Sequence, residues 1–160
     1  MRTIVIEWHG PHSPHAIPED LDSEGGLYLF VGKQKYQKHR RLQYCGITGT
    51  SFSNRFSQHH KLPVLSQECD VWLGKVRAPA EFEKKDLEFA EAVIVYFWQP
   101  ELNERKKIQT PKPAVVVSHW HNSSGSPLTR QHSDIKNLPD VISWDGSAWR
   151  TANLKVYIAE

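Results

Sequence analysis

Cysteine is scarce in this chain: there are two in 160 residues, Cys45 and Cys69, with no Cys-x-x-Cys pair. That excludes a dense disulfide framework and fits a cytoplasmic chain with reduced thiols. No apolar run approaches the roughly 18 residues of a membrane span. The opening Met1-Arg2-Thr3-Ile4-Val5-Ile6-Glu7-Trp8 is broken by His9 and Gly10 too soon for a secretory leader. Gly46-Ile47-Thr48-Gly49 lacks the lysine of a phosphate-binding P-loop. Internal repeats and a clean linker are also missing, so residues 1–160 read as a single domain around one core. The net charge is only +2, but acid is absent locally. Between Lys33 and Lys61 there is no Asp or Glu, while Lys33, Lys35, Lys38, Arg40, Arg41, Arg55 and Lys61 all fall there. Such a stretch suits a polyanion; a solvated basic loop is the plainer alternative.

Hydrophobic patterning predicts the elements. Residues 1–8 read as a strand, and the Pro- and His-rich stretch 9–25 as a loop. Strands are expected at about 26–32 and 42–47, forming a hairpin with a long basic tip. Gly49-Thr50-Ser51 offers a turn and an N-cap for a helix running through Arg55 to His60, ahead of Pro63. Residues 69–76 read as a third strand, with Val71 and Leu73 alternating against Trp72 and Val76. The best helix pattern runs from about Glu81 to Trp98, with Phe82, Leu87, Phe89, Ala90, Val93, Ile94 and Phe97 on one face. Pro100 closes it. Glu91 falls at the edge of that face. Residues 112–160 read as a β-rich elaboration: a strand at 114–117, a loop at 122–127, and a meander through 141–144 and 154–158.

Several short pieces form an ordered series. Gly26-Leu27-Tyr28 lies on the first hairpin strand and Tyr44-Cys45-Gly46 on the second. Arg55 comes nine residues after Gly46, and His59 four residues later. Glu91 and Ile94 then precede Pro100 and Asn103. This series, over residues 25–104, resembles the signature of the GIY-YIG nuclease superfamily. The block from Glu91 through Asn103 is its most specific part.

The resemblance implies an α+β fold: a small, mostly antiparallel three-stranded central sheet flanked by helices, here with an extra N-terminal strand and a C-terminal β-meander. It implies a divalent-metal-dependent endonuclease that hydrolyses DNA phosphodiesters by a one-metal mechanism, with RNA as another possible substrate. Tyr28, Tyr44, Arg55, His59, Glu91 and Asn103 would form the site, and Mg2+ or Mn2+ would be held by Glu91. An intracellular location, cytoplasmic or nucleoid-associated, would follow. Lys33, Lys35, Lys38, Arg40, Arg41 and Lys61 would hold the nucleic-acid backbone. Monomer and homodimer stay equally open.

The residue types suit that chemistry. One carboxylate can hold one hard cation, with water and phosphate oxygens completing its shell. Arg55 can grip a phosphate bidentately. Tyr28 is the favoured base, assisted by His59, but a phenol with a pKa near 10 needs cations beside it to act at neutral pH. Asn103 suits an orienting role better than a chemical one. Each residue also has a plainer reading: sheet tyrosines, a surface arginine, a boundary glutamate and a turn asparagine. His60 competes with His59, and Glu88 with Glu91. The departures from the pattern are Leu27, Cys45, a longer hairpin connection, and Ile47 where repair-type members tend to carry lysine. A catalytically inactive nucleic-acid-binding module and a protein-interaction domain remain as alternatives. Trp144 and Trp149 read as core rather than base-stacking platforms. His119 and His121 flank Trp120 on one strand face, without a third residue that completes a metal site.

Overall fold

The computed structural model describes residues 1–65 and 68–159. Seven strands form one mixed sheet: β1 (Arg2–His12), β2 (Gly26–Gly32), β3 (Arg41–Thr48), β4 (Asp70–Ala78), β5 (Ala114–His121), β6 (Val141–Trp144) and β7 (Trp149–Ala152). Their order is β3-β2-β4-β1-β5-β6-β7. Two α-helices accompany them, α1 (Phe52–Ser57) and α2 (Lys84–Trp98). The expected three-stranded sheet flanked by helices is therefore overturned. The expected strands β3, β2 and β4 do lie side by side and antiparallel, but they form one end of a sheet more than twice that size.

The reason lies in β1. It pairs antiparallel with β4 through Val5↔Ala78 to His12↔Val71, and parallel with β5 through Arg2↔Ala114 to His9↔His121. The N-terminal strand thus sits at the centre of the sheet. It also runs on to His12, into the stretch read as loop, because β4 continues to offer a backbone partner past His9, at His12↔Val71.

Alternation sorts the side chains onto two faces. Ile4, Ile6, Trp8, Leu27, Leu29, Trp72, Val76 and Val116 share a core with Leu87, Ala90, Val93 and Ile94 of α2. Tyr28, Phe30, Val71 and Leu73 share a second core with Phe52 and Phe56 of α1. All seven residues of β2 are consequently buried. Trp144 and Trp149 stack near Tyr96 at the far end of the sheet. They are packing residues, as their pattern predicts.

Two further expectations fail. α1 ends at Ser57, with Gln58 as its C-cap, so His59 lies beyond the helix. The last strand is Trp149–Ala152, whereas residues 153–159 have no regular structure and Leu154 through Ile158 are exposed. β7 is the outer strand of the sheet, and no strand among the described residues pairs with the tail. No helix among the described residues is long and apolar enough to cross a membrane.

α2 is anchored at its first turn by Asp86, which is only 2% exposed. Its carboxylate accepts from the Glu83 N–H at 2.8 Å and pairs with Arg2. Burial alone would raise its pKa, but the Glu83 N–H and the Arg2 guanidinium reverse this and hold it below the usual carboxylate value. A depressed folded pKa means that the stabilisation is complete above the unfolded value of about 4 and is lost as pH falls through the folded one. Urea unfolding between pH 2 and 7 should show Asp86→Asn less stable than wild type by about 1–3 kcal/mol at neutral pH. The two curves should converge in acid.

Candidate functional site

A cleft of about 830 Å³ opens where the edge strand β3 meets α1, α2 and the segment after α2. Tyr44, Arg55, Lys61, Glu91, Asn103 and Lys106 contribute to its lining. Its size falls within the usual range for ligand sites. Four of the six sequence-predicted catalytic residues therefore line one cleft: Tyr44, Arg55, Glu91 and Asn103. The other two, Tyr28 and His59, lie behind it.

Tyr28 is fully buried at the centre of the aromatic cluster. Its hydroxyl oxygen accepts from Arg55 Nε at 3.2 Å and meets His59 Nε2 at 2.9 Å. The Lys61 backbone N–H donates to His59 Nδ1 at 3.1 Å, so Nε2 carries the ring proton and donates to Tyr28. The phenol oxygen then accepts twice from inside the protein, and the fully buried ring does not line the cleft where water would enter. Burial first, and then the neighbouring Tyr44, raise the Tyr28 pKa well above its ordinary value, with Arg55 opposing them. Tyr28 holds Arg55; it is not placed to activate water. Burial also raises the Tyr44 pKa, with Glu91 adding to the effect and Arg55 opposing it.

His59 reaches Tyr28 although the helix has ended. The chain turns after Gln58 and enters a short 3-10 turn over Leu62–Val64, which brings the imidazole back under the sheet. The neighbouring His60 is exposed and lines the cleft instead. Gly46 makes the tyrosine pair possible. A Cβ there would stand 2.5 Å from Tyr28 Cζ and 2.8 Å from Tyr44 Cε1.

Glu91 projects from α2 with its side chain 15% exposed, and its Oε1 meets Lys106 Nζ at 2.7 Å. An ammonium thus already stands at the carboxylate, where a metal cation would stand, and Glu88 and Glu104 also line the cleft. Glu88, its rival, is exposed and forms a loose 4.0 Å pair with Lys84.

Asn103 has a backbone task. Its Oδ1 accepts from the Cys45 N–H and its Nδ2 donates to the Cys45 carbonyl, both at 2.9 Å. With Leu102 N–H on Gln43 O at 2.7 Å, it ties the segment after α2 to the free edge of β3. It orients the strand of Tyr44.

The basic residues are less available than their sequence implies. Arg40 pairs with Asp70 at 2.8 Å and Asp134 at 3.3 Å. Arg41 pairs with Glu101 at 3.0 Å, Lys33 with Glu68 at 3.9 Å and Lys61 with Glu104 at 2.9 Å. Of the six, only Lys35 and Lys38 have no acidic partner among the described residues, and of the six only Lys61 lines the cleft. Sequence reasoning missed Lys106. Its one signal was a cation fifteen positions after Glu91, which carries no meaning until the chain folds back.

His59 is 4% exposed. Burial, and then the Arg55 charge, lower its pKa from 6.5 to about 4. The unfolded chain therefore takes up this proton first. Stability should fall as pH drops from about 6.5 towards 4, by up to about 1.4 kcal/mol per pH unit from this group. Unfolding titrations of His59→Gln across that window should show a shallower slope than wild type. Tyr28→Phe strands the buried His59 donor and frees the part-buried Arg55 one, and should cost about 1–3 kcal/mol in the same assay. No family model, curated protein or solved structure matches this chain.

Proposed function

We propose that the β3-edge cleft is a phosphodiesterase centre, that the protein is a divalent-metal-dependent endonuclease acting on DNA, and that the chain is a divergent relative of the GIY-YIG nucleases. The observation that carries this reading is the convergence of Tyr44, Arg55 and Glu91, from three different elements, on one polar cleft. A phosphoryl oxygen between them would meet a guanidinium on one side and a carboxylate able to hold Mg2+ or Mn2+ on the other. Such an ion would polarise the phosphate and acidify its bound water.

The chain's own residues would divide the remaining work. Arg55, aligned by Tyr28, would neutralise charge at the phosphorus. Tyr28 and His59 would keep the guanidinium fixed. Tyr44, the only one of the two tyrosines that lines the cleft, would orient the attacking water. Asn103 would hold the Tyr44 strand against the segment that carries Lys106. Lys61, with Lys35 and Lys38 further away, would draw in the polyanion, so binding should weaken steeply with salt.

The Glu91–Lys106 pair supports a second reading: a nucleic-acid-binding module that grips phosphate without cutting it. The ammonium satisfies Glu91 without a metal. The two readings differ in one assay. Supercoiled plasmid should be nicked by wild type in Mg2+ or Mn2+. EDTA and Glu91→Ala should each abolish nicking, while salt-sensitive binding persists in Glu91→Ala. Lys106→Ala should lower the metal concentration needed for half-maximal nicking, because it removes the competing cation. Retention of plasmid, a branched junction and RNA without cleavage of any would favour the binding module. Neither binding nor cleavage would overturn both.

A further inference from the structure

We infer that Glu7, His9 and His121 form a binding site for a divalent first-row transition ion, at the seam where β1 and β5 run parallel. The register sets His9 directly opposite His121, and Glu7 lies two residues back on the same face of β1. One ligand atom from each falls within 4.8 Å of the others. The imidazoles already lie over one another, with centroids 5.0 Å apart, and His9 Nε2 sits 2.9 Å from Glu7 Oε1. Bonds of about 2.0–2.2 Å in a tetrahedral shell would need the donors within roughly 3.5 Å of one another. Modest side-chain rotation closes that difference.

The surroundings orient the ligands. His121 Nδ1 lies 3.3 Å from the His119 carbonyl, which holds the proton on Nδ1 and leaves Nε2 with a free lone pair. Arg77 grips the Glu7 carboxylate, Nε donating to Oε2 at 3.0 Å and Nη2 more loosely to Oε1 at 3.4 Å, while Oε1 faces His9. Two imidazoles and one carboxylate form a borderline donor set that favours zinc and its neighbours over Mg2+ or Ca2+. A fourth position stays open for water. His121 also borders a cavity of about 490 Å³ between β5 and the C-terminal tail. Beyond His9 on β1, the buried His12 Nε2 has no hydrogen-bond partner among the described residues.

The site is separate from the β3-edge cleft and does not depend on the nuclease reading. Titration calorimetry of the whole chain with Zn2+ alone should give one equivalent, undiminished by millimolar Mg2+. His121→Ala and Glu7→Gln should each weaken it at least about tenfold, and His119→Ala should leave it unchanged. Zn2+ added to wild type should shift the ring-nitrogen resonances of His9 and His121, a readout that needs no variant. The inference is overturned if wild type takes up no stoichiometric Zn2+. It is equally overturned if those resonances stay fixed, or if folded His121→Ala and Glu7→Gln bind as tightly as wild type.

Discussion

The parallel pairing of β1 with β5 is the constraint on which the rest of the molecule depends. Eight consecutive residue pairs, from Arg2↔Ala114 to His9↔His121, join the motif-bearing half to the C-terminal half. On one face this pairing stacks Trp8 on Trp120 with centroids 5.4 Å apart, and Trp8 Nε1 donates to Ser118 at 3.0 Å. On the other face it brings Glu7, His9 and His121 together. Because β1 also pairs with β4, it has a strand on each edge, and what would have been two small sheets becomes one.

Burial on both sides of β2 follows. With α2 over one face and α1 over the other, Tyr28 loses contact with water and its hydroxyl must find partners inside the protein. Arg55 and His59 are those partners. Solvation therefore divides the two tyrosines of the motif between different tasks: one is a buried anchor, and the other stands at the cleft. Residue type alone cannot make that distinction, since both are tyrosines on neighbouring strands.

Charge follows the same logic. The acid-free run from Lys33 to Lys61 is a property of the linear chain. In the folded protein Glu68, Asp70, Glu101, Glu104 and Asp134 arrive from elsewhere and pair with four of its cations. Arg40 in particular ties the hairpin to the segment after β5. Glu91 undergoes the reverse, because a lysine from the returning loop reaches it. An electrostatic footprint read along the sequence overstates the free charge of both signs.

Local features were legible in the sequence because they depend on neighbours along the chain. The 26–32 strand, the alternation of Val71 to Val76, the amphipathic face of α2 and the packing role of Trp144 and Trp149 follow from periodicity and apolar content. The candidate set came instead from the ordered resemblance to a family signature, and four of its six members share one cleft. The size of the sheet, the central place of β1 and the end of α1 before His59 were not legible. Strand pairing is decided by hydrogen bonds between residues more than a hundred positions apart, and a local pattern carries no trace of its partner. The same holds for His9 opposite His121 and for Lys106 on Glu91. Sequence by itself determined which side chains could do chemistry; only the tertiary structure decided which of them meet, which face water and which are already neutralised, because those outcomes depend on long-range contacts and on solvation.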